Sequence, residues 1–333
     1  MRPQKCSEEE TIQWLIASPK TASQTEAAKC CPKDMAHDAI RRMLLRTEPN
    51  TQALWLEAKE QVNRNGGFLV LDDTMIDKPY AKNIAMVTHN WSGKHKRLCK
   101  GITVVTMIWT DGTKMIPVDL RVYNKEHDGK SKNDHFREML QVAKERGFIN
   151  PTILFDSWYA SKDNMRFIQQ LGWRFYTQLK SNRRVHLEEV SHRPTIPLRK
   201  LISGKEGDII CLKGAEDLPP LRVFRVSYRS IPRYSCTNDL SLDLAECKEL
   251  SRIRFAIEHF HRGLKQECNI ERCSCRDERI QRNHILFAFR AFLRLEVYRN
   301  SMKLAPAEFC AKIIRDSIQK YLANPYLMIP SFA

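Results

Sequence analysis

Arg254, Glu258, His261 and Lys265 stand in the segment Arg-Phe-Ala-Ile-Glu-His-Phe-His-Arg-Gly-Leu-Lys. Read as a helix turning about 100° per residue, this spacing puts Glu258 about 40°, His261 about −20° and Lys265 about 20° from Arg254. One stripe then carries a carboxylate, an imidazole and two cations, while Phe255, Ile257 and Leu264 turn toward a core. A carboxylate between cations suits metal-assisted phosphodiester chemistry, with an oxygen donor for a divalent ion and positive groups to hold phosphate. The same spacing also makes ordinary surface ion pairs, and His261 fits helix packing as well as a site. The rest of the chain has to decide between these readings.

Two short apolar runs end in acids, Phe68-Leu-Val-Leu-Asp72-Asp73 and Thr152-Ile-Leu-Phe-Asp156. Each reads as a buried strand that delivers carboxylates to its C-terminal end, where open α/β sheets place their sites. Between them, Ile102 to Trp109 and Met115 to Val122 flank the turn signal Asp111-Gly112 and predict a hairpin. Asn133 to Arg146 follows as an amphipathic helix closed by Gly147. Ser161 to Leu171 predicts another helix, and Arg174 to Leu179 another strand. The order is that of a mixed α/β sheet with flanking helices. Four regions result: a helical region 1–62 that could bind DNA, a first part of the core 63–182, a β-rich insertion 183–235, and a helical completion 236–333. In the first region, a short helix, a turn at Cys30–Pro32 and a basic helix with Arg41 and Arg42 suggest a helix-turn-helix, with a plain helical bundle as the alternative. Ile285 to Tyr298 predicts a buried helix with snorkelling arginines.

The 333 residues carry 55 Lys and Arg against 39 Asp and Glu, a net charge of +16. This excess favours a polyanionic partner. No apolar run is long enough to span a bilayer, and residues 1–10 lack a signal-peptide core. Eleven cysteines without a small-domain framework fit reduced thiols and a cytoplasmic protein. Cys268, Cys273, Cys275 and His284 lack the paired spacing of a structural zinc site. Lys94 to Arg97 with Lys100 could track a DNA backbone, as could Arg183-Arg184 and Arg199-Lys200, or they are solvated loops.

Leu71-Asp72-Asp73-Thr74, Leu154 to Tyr159 and Arg254-x3-Glu258-x6-Lys265, in that order, resemble the DDE transposases of bacterial insertion sequences. The resemblance covers about residues 10–300. It is to the branch with a ribonuclease-H-like core, a β-rich insertion and a Tyr-x2-Arg-x3-Glu-x6-Lys signature, whose Tyr position holds Ser251 here. The resemblance implies that Asp73, Asp156 and Glu258 are the catalytic acids and ligate Mg²⁺, with Mn²⁺ able to substitute. Asp73 is taken because it directly precedes Thr74. Asp72 is its rival, since neighbouring strand residues face opposite ways. Arg254, Lys265 and His261 are expected to contact phosphate or DNA. Element ends and target DNA are the implied partners, held by a homodimer in a synaptic complex on the nucleoid. A nuclease without strand transfer and an inactive DNA-binding derivative are the alternatives.

Overall fold

The computed structural model describes residues 6–18, 23–92, 97–187, 194–201, 206–228, 231–302 and 306–324. The strands are β1 (Phe68–Asp77), β2 (Thr88–Ser92), β3 (Arg97–Thr110), β4 (Ile116–Tyr123), β5 (Thr152–Phe155), β6 (Arg174–Leu179), β7 (Arg184–Leu187), β8 (Ile196–Pro197), β9 (Asp208–Leu212), β10 (Leu221–Tyr228) and β11 (Ile231–Thr237). The helices are α1 (Glu8–Ala17), α2 (Gln24–Cys30), α3 (Ala39–Arg46), α4 (Thr51–Ala58), α5 (Lys125–Asp128), α6 (Lys132–Glu145), α7 (Lys162–Gln170), α8 (Leu244–Arg254), α9 (Ala256–Gln266), α10 (Glu278–Met302) and α11 (Pro306–Ala323). The fold is a mixed α/β sheet with flanking helices. The chain forms two compact units, one of residues 55–75 and 102–260, the other of 1–54, 76–101 and 261–333.

The first unit holds most of the sheet, in the order β3-β1-β5-β6-β11-β10-β9-β7-β8, with β4 paired to β3. β1, β5 and β6 run parallel, Leu71 opposite Phe155 and Leu154 opposite Tyr176. Parallel neighbours need a crossover, and α7 supplies it between β5 and β6. Leu69, Val70, Leu71, Ile153, Leu154 and Phe155 are almost wholly buried, as befits strands covered on both faces. α6 begins in a capping box in which Ser131 and Asp134 bond each other's backbone N–H groups. It buries Phe136, Met139 and Leu140. Phe136 meets Phe155 edge-on at 5.3 Å and stacks on Tyr159 at 5.2 Å. This packing fixes the ring of Tyr159 beside the ends of β1 and β5.

The hairpin from β3 to β4 forms, but as a longer loop than a two-residue turn. Asp111 Oδ1 accepts from the N–H groups of Thr113 and Lys114, both at 2.9 Å, and Gly112 takes φ +99°. The β-rich segment joins the core sheet directly. β11 pairs antiparallel with β6 from Tyr234 opposite Leu179 to Thr237 opposite Tyr176, so β7 to β11 extend the same sheet.

In the second unit α1, α3 and α10 pack together. Arg290 and Arg294 of α10 pair with Glu8 and Glu9 at 2.5 and 2.6 Å. Asn283 Nδ2 donates to the carbonyls of Leu44 and Thr47, both at 2.7 Å, and Asn269 Nδ2 donates to that of Leu15 at 3.0 Å. These amides satisfy carbonyls that helix ends leave without intrahelical partners. α2 and α3 are separated by residues 31–38, longer than the tight connection of a helix-turn-helix. Pro32 does not open α3. Its neighbour Lys33 is drawn to Glu10 at 3.0 Å, and the helix begins only at Ala39. Among the described residues no helix is long and apolar enough to cross a membrane.

Candidate active site

β1 continues past the acids to Asp77, so Asp72 and Asp73 lie within a strand rather than at its end. Alternation along the strand sends them to opposite faces. The parallel register ends with Leu71 opposite Phe155, so Asp72 and Asp156 are each the next residue along their own segment.

Asp72 and Asp156 behave as a crowded acid pair. Burial, then the charges of Asp156 and Asp73, push the Asp72 carboxyl well above its ordinary range. Burial also raises Asp156, with the charge of Asp73 adding to it, although its Oδ1 accepts the N–H groups of Trp158 at 2.8 Å and Tyr159 at 3.3 Å. Arg254 is the cation that opposes these shifts at both acids. It ends α8, is 6% exposed, and lies 4.9 Å from the ring of Phe255. Its Nε has no hydrogen-bond partner.

Asp73 is engaged differently. Lys132 Nζ at the start of α6 pairs with Oδ2 at 2.8 Å, and the Tyr159 hydroxyl donates to Oδ1 at 2.9 Å. Both carboxylate oxygens are therefore already held. Lys132 also lies 4.9 Å over the ring of Trp158, a residue 47% exposed. Lys132 carries no local sequence signal, whereas Trp158 lies in the motif around Asp156. Tyr159 falls inside the motif around Asp156, yet its partner becomes visible only in three dimensions.

The helical stripe is broken. The ladder tightens at Phe255, whose N–H bonds Arg252 O at 3.1 Å, so Arg254 closes α8 while Glu258 and Lys265 belong to α9. Glu258 is exposed and has no side-chain hydrogen bond or ion pair among the described residues. It is not among the main charges felt by Asp72 or Asp156. Among the described residues no three His, Cys, Asp or Glu side chains stand close enough together to hold a metal ion. The structure thus brings Asp156 beside Asp72 and Asp73 but does not gather Glu258 with them. In the other unit, His261 is buried, and burial followed by Lys265 lowers its imidazole to about 3, as for a packing histidine. Lys265 pairs with Glu271 at 3.3 Å.

Ser251 is partnered too, for the Tyr176 hydroxyl hydrogen-bonds its side chain. The cysteine–histidine set is not a metal site. Cys273 and Cys275 are free thiols that share a side-chain hydrogen bond, Cys268 is buried, and His284 Nε2 meets Asn269 O at 3.0 Å. Arg183 is partly buried, which lowers its guanidinium, and Arg184 bonds Thr195. Of the basic run at 94–97, residues 94–96 lie outside the described residues.

Residues 64–294 match the family described as the transposase DDE domain. A comparison with curated proteins gives no match. Among solved structures, the chain is similar to the piggyBac transposase in a synaptic complex with hairpin DNA. The TM-score is 0.54 at 12% identity, over 96% of this chain and 72% of that one. At that identity the likeness concerns the fold.

Proposed function

Because the chain belongs to the transposase DDE-domain family and is a DDE-type transposase acting in DNA transposition, we propose that it cuts the ends of an insertion sequence and joins them to target DNA, using Asp72, Asp156 and Glu258. Asp72 replaces Asp73, the first acid expected from the sequence. The choice is supported by the charges of Asp156 and Arg254 that act on Asp72, while both oxygens of Asp73 are held by Lys132 and Tyr159.

Transposases of this family use divalent metal ions. Two of the donors, Asp72 and Asp156, suit one. Asp72 and Asp156 are hard oxygen ligands whose enclosed charges repel each other, with Arg254 the cation that relieves them. Asp72 and Asp156 would hold Mg²⁺, or Mn²⁺ in its place, with Glu258 completing the set as α9 closes on DNA. The ion supplies Lewis-acid stabilisation of charge at the scissile phosphate.

The chain's own groups do the rest. Arg254, with its unpaired Nε, donates to a phosphate oxygen and places the phosphorus in front of the acids. Water adds to that phosphorus, the bond to the 3′ oxygen breaks, and the leaving oxygen takes a proton to become a 3′-hydroxyl. The hydroxyl then attacks a target phosphate, losing its proton while a second 3′ oxygen departs. Bonds made and broken balance, and no energy source is needed. Lys132 and Tyr159 hold Asp73 and steady the strand that carries Asp72. Lys265 is a second phosphate contact on α9. The helical region 1–62 contributes DNA contacts, and two copies pair two element ends on the chromosome.

The observation that carries this reading is the buried Arg254 guanidinium facing an acid pair with an N–H group unused. Its test is a cleavage and strand-transfer assay with element-end DNA and Mg²⁺. Joined product is expected from the wild type, with none from Asp72→Asn, Asp156→Asn or Glu258→Gln. Cleavage without joining would leave a nuclease, and an active Asp156→Asn would overturn the site.

A further inference from the structure

Past the end of β1, residues 77–84 face the segment 271–276 of the same unit across a cavity of about 700 Å³. Its frame is tied. Buried Lys78 donates to the carbonyls of Glu271 at 2.8 Å and Cys273 at 2.6 Å. Ala85 N–H bonds Arg276 O, and Ala81 N–H bonds Lys78 O, both at 3.0 Å. A wall held by buried backbone bonds keeps its shape without a ligand.

The lining is cationic. Lys78, Lys82, Arg272 and Arg276 stand against Asp77 and Glu271. Glu271 is already committed, to Lys265 at 3.3 Å and to the N–H of Asp77 at 3.3 Å. Lys82, Arg272 and Arg276 are exposed and make no ion pair among the described residues. Between them stands Tyr80, 94% exposed. A phenol ring wholly in water adds no burial to the fold, and burying a ring of this size is worth about 2 kcal/mol. An aromatic face held out beside free cations is how proteins take single-stranded nucleic acid, with bases on the ring and phosphates on the cations. A paired base inside a duplex has both faces covered and cannot use such a ring.

We propose that this cavity binds an unpaired nucleotide of the DNA, with Tyr80 as the stacking platform and Lys82, Arg272 and Arg276 holding the adjoining phosphates. The proposal rests on the DNA-processing reading and adds a subsite built from different residues. A volume of this size falls in the range of nucleotide-sized pockets, about 300–1,000 Å³.

The test uses the full chain without added divalent metal, and an oligothymidylate carrying one 2-aminopurine. Binding is followed by anisotropy and stacking by quenching of the 2-aminopurine. The wild type quenches the probe. Tyr80→Ala weakens single-strand binding about tenfold or more and abolishes quenching, Tyr80→Trp restores both, and duplex binding stays within twofold. Replacing Lys82, Arg272 and Arg276 by Ala lowers the salt slope for the single strand by about 2. Normal duplex binding with no quenching, or with single-strand affinity insensitive to Tyr80→Ala, overturns the subsite and leaves the transposase reading intact. Failure to bind DNA of either kind overturns both.

Discussion

Asp72→Asn separates the roles of the two neighbouring acids. Two carboxylates about 5 Å apart, near the spacing of neighbouring strands, repel by about 3 kcal/mol at an effective dielectric of about 20. Arg254 offsets part of this, leaving about 1–2 kcal/mol. An amide keeps the shape and accepts the Asp73 N–H, which reaches Asp72 Oδ1 at 2.8 Å. In the absence of metal the variant should therefore melt about 2–8 °C higher than the wild type, at about 2–4 °C per kcal/mol. With Mg²⁺ the order reverses. An ion at one hundred times its dissociation constant stabilises by about 2.7 kcal/mol, so the wild type should gain about 5–10 °C while Asp72→Asn gains less than a third of that. Differential scanning fluorimetry across an Mg²⁺ titration reads both arms, with Asp73→Asn alongside. A metal-free melting point below the wild type, together with a full Mg²⁺ response, would refute the assignment of Asp72.

Divalent-ion affinity should climb with pH above the ordinary carboxylate range, with protons released on binding, because Asp72 and Asp156 are both raised. For the same reason the metal-free protein should lose stability as pH rises through that window: a raised acid favours the folded state below its folded value and ceases to do so above it. Calorimetry in buffers of different ionisation heat measures the protons, and pH-independent affinity would contradict the shifts. Arg254→Lys should lower strand cleavage by about tenfold or more with the fold intact, since an ammonium lacks the planar donor fork; rates under saturating DNA with circular dichroism check it. Cys275, lowered to about 6 chiefly by the Cys273 hydrogen bond, should be alkylated by iodoacetamide at pH 7 well ahead of Cys236, whose thiol burial pushes upward; mass spectrometry of a time course shows the order. Gly263→Ala should destabilise by about 1–3 kcal/mol, because its new Cβ would stand 2.5 Å from the buried ring of Phe292; an unchanged denaturation midpoint would speak against that packing.

Much of the architecture is legible in local sequence. The runs at 68–71 and 152–155, apolar apart from Thr152, become buried parallel strands. Ser131 and Asp134 announce the start of α6, and Gly147, at φ +82°, its end. What remains hidden is non-local. Choosing between Asp72 and Asp73 requires the register of β1 on β5, and Thr74 carries no information about that. Lys132 lies 59 positions from the carboxylate it holds. The break at Phe255 is marked by two tightened hydrogen bonds, Phe255 N–H to Arg252 O and Glu258 N–H to Phe255 O, which residue spacing cannot reveal. That the β-rich insertion continues the core sheet is also non-local, set by the ladder between β11 and β6.

That ladder has a mechanical corollary. A lobe attached by two loops swings freely, whereas a strand set hydrogen-bonded edge to edge with its host transmits force through the backbone. Any DNA gripped by β7 to β10 would pull on β6, the neighbour of β5, and so on the turn that presents Asp156. Distant grip and local chemistry would then respond to a single twisting motion.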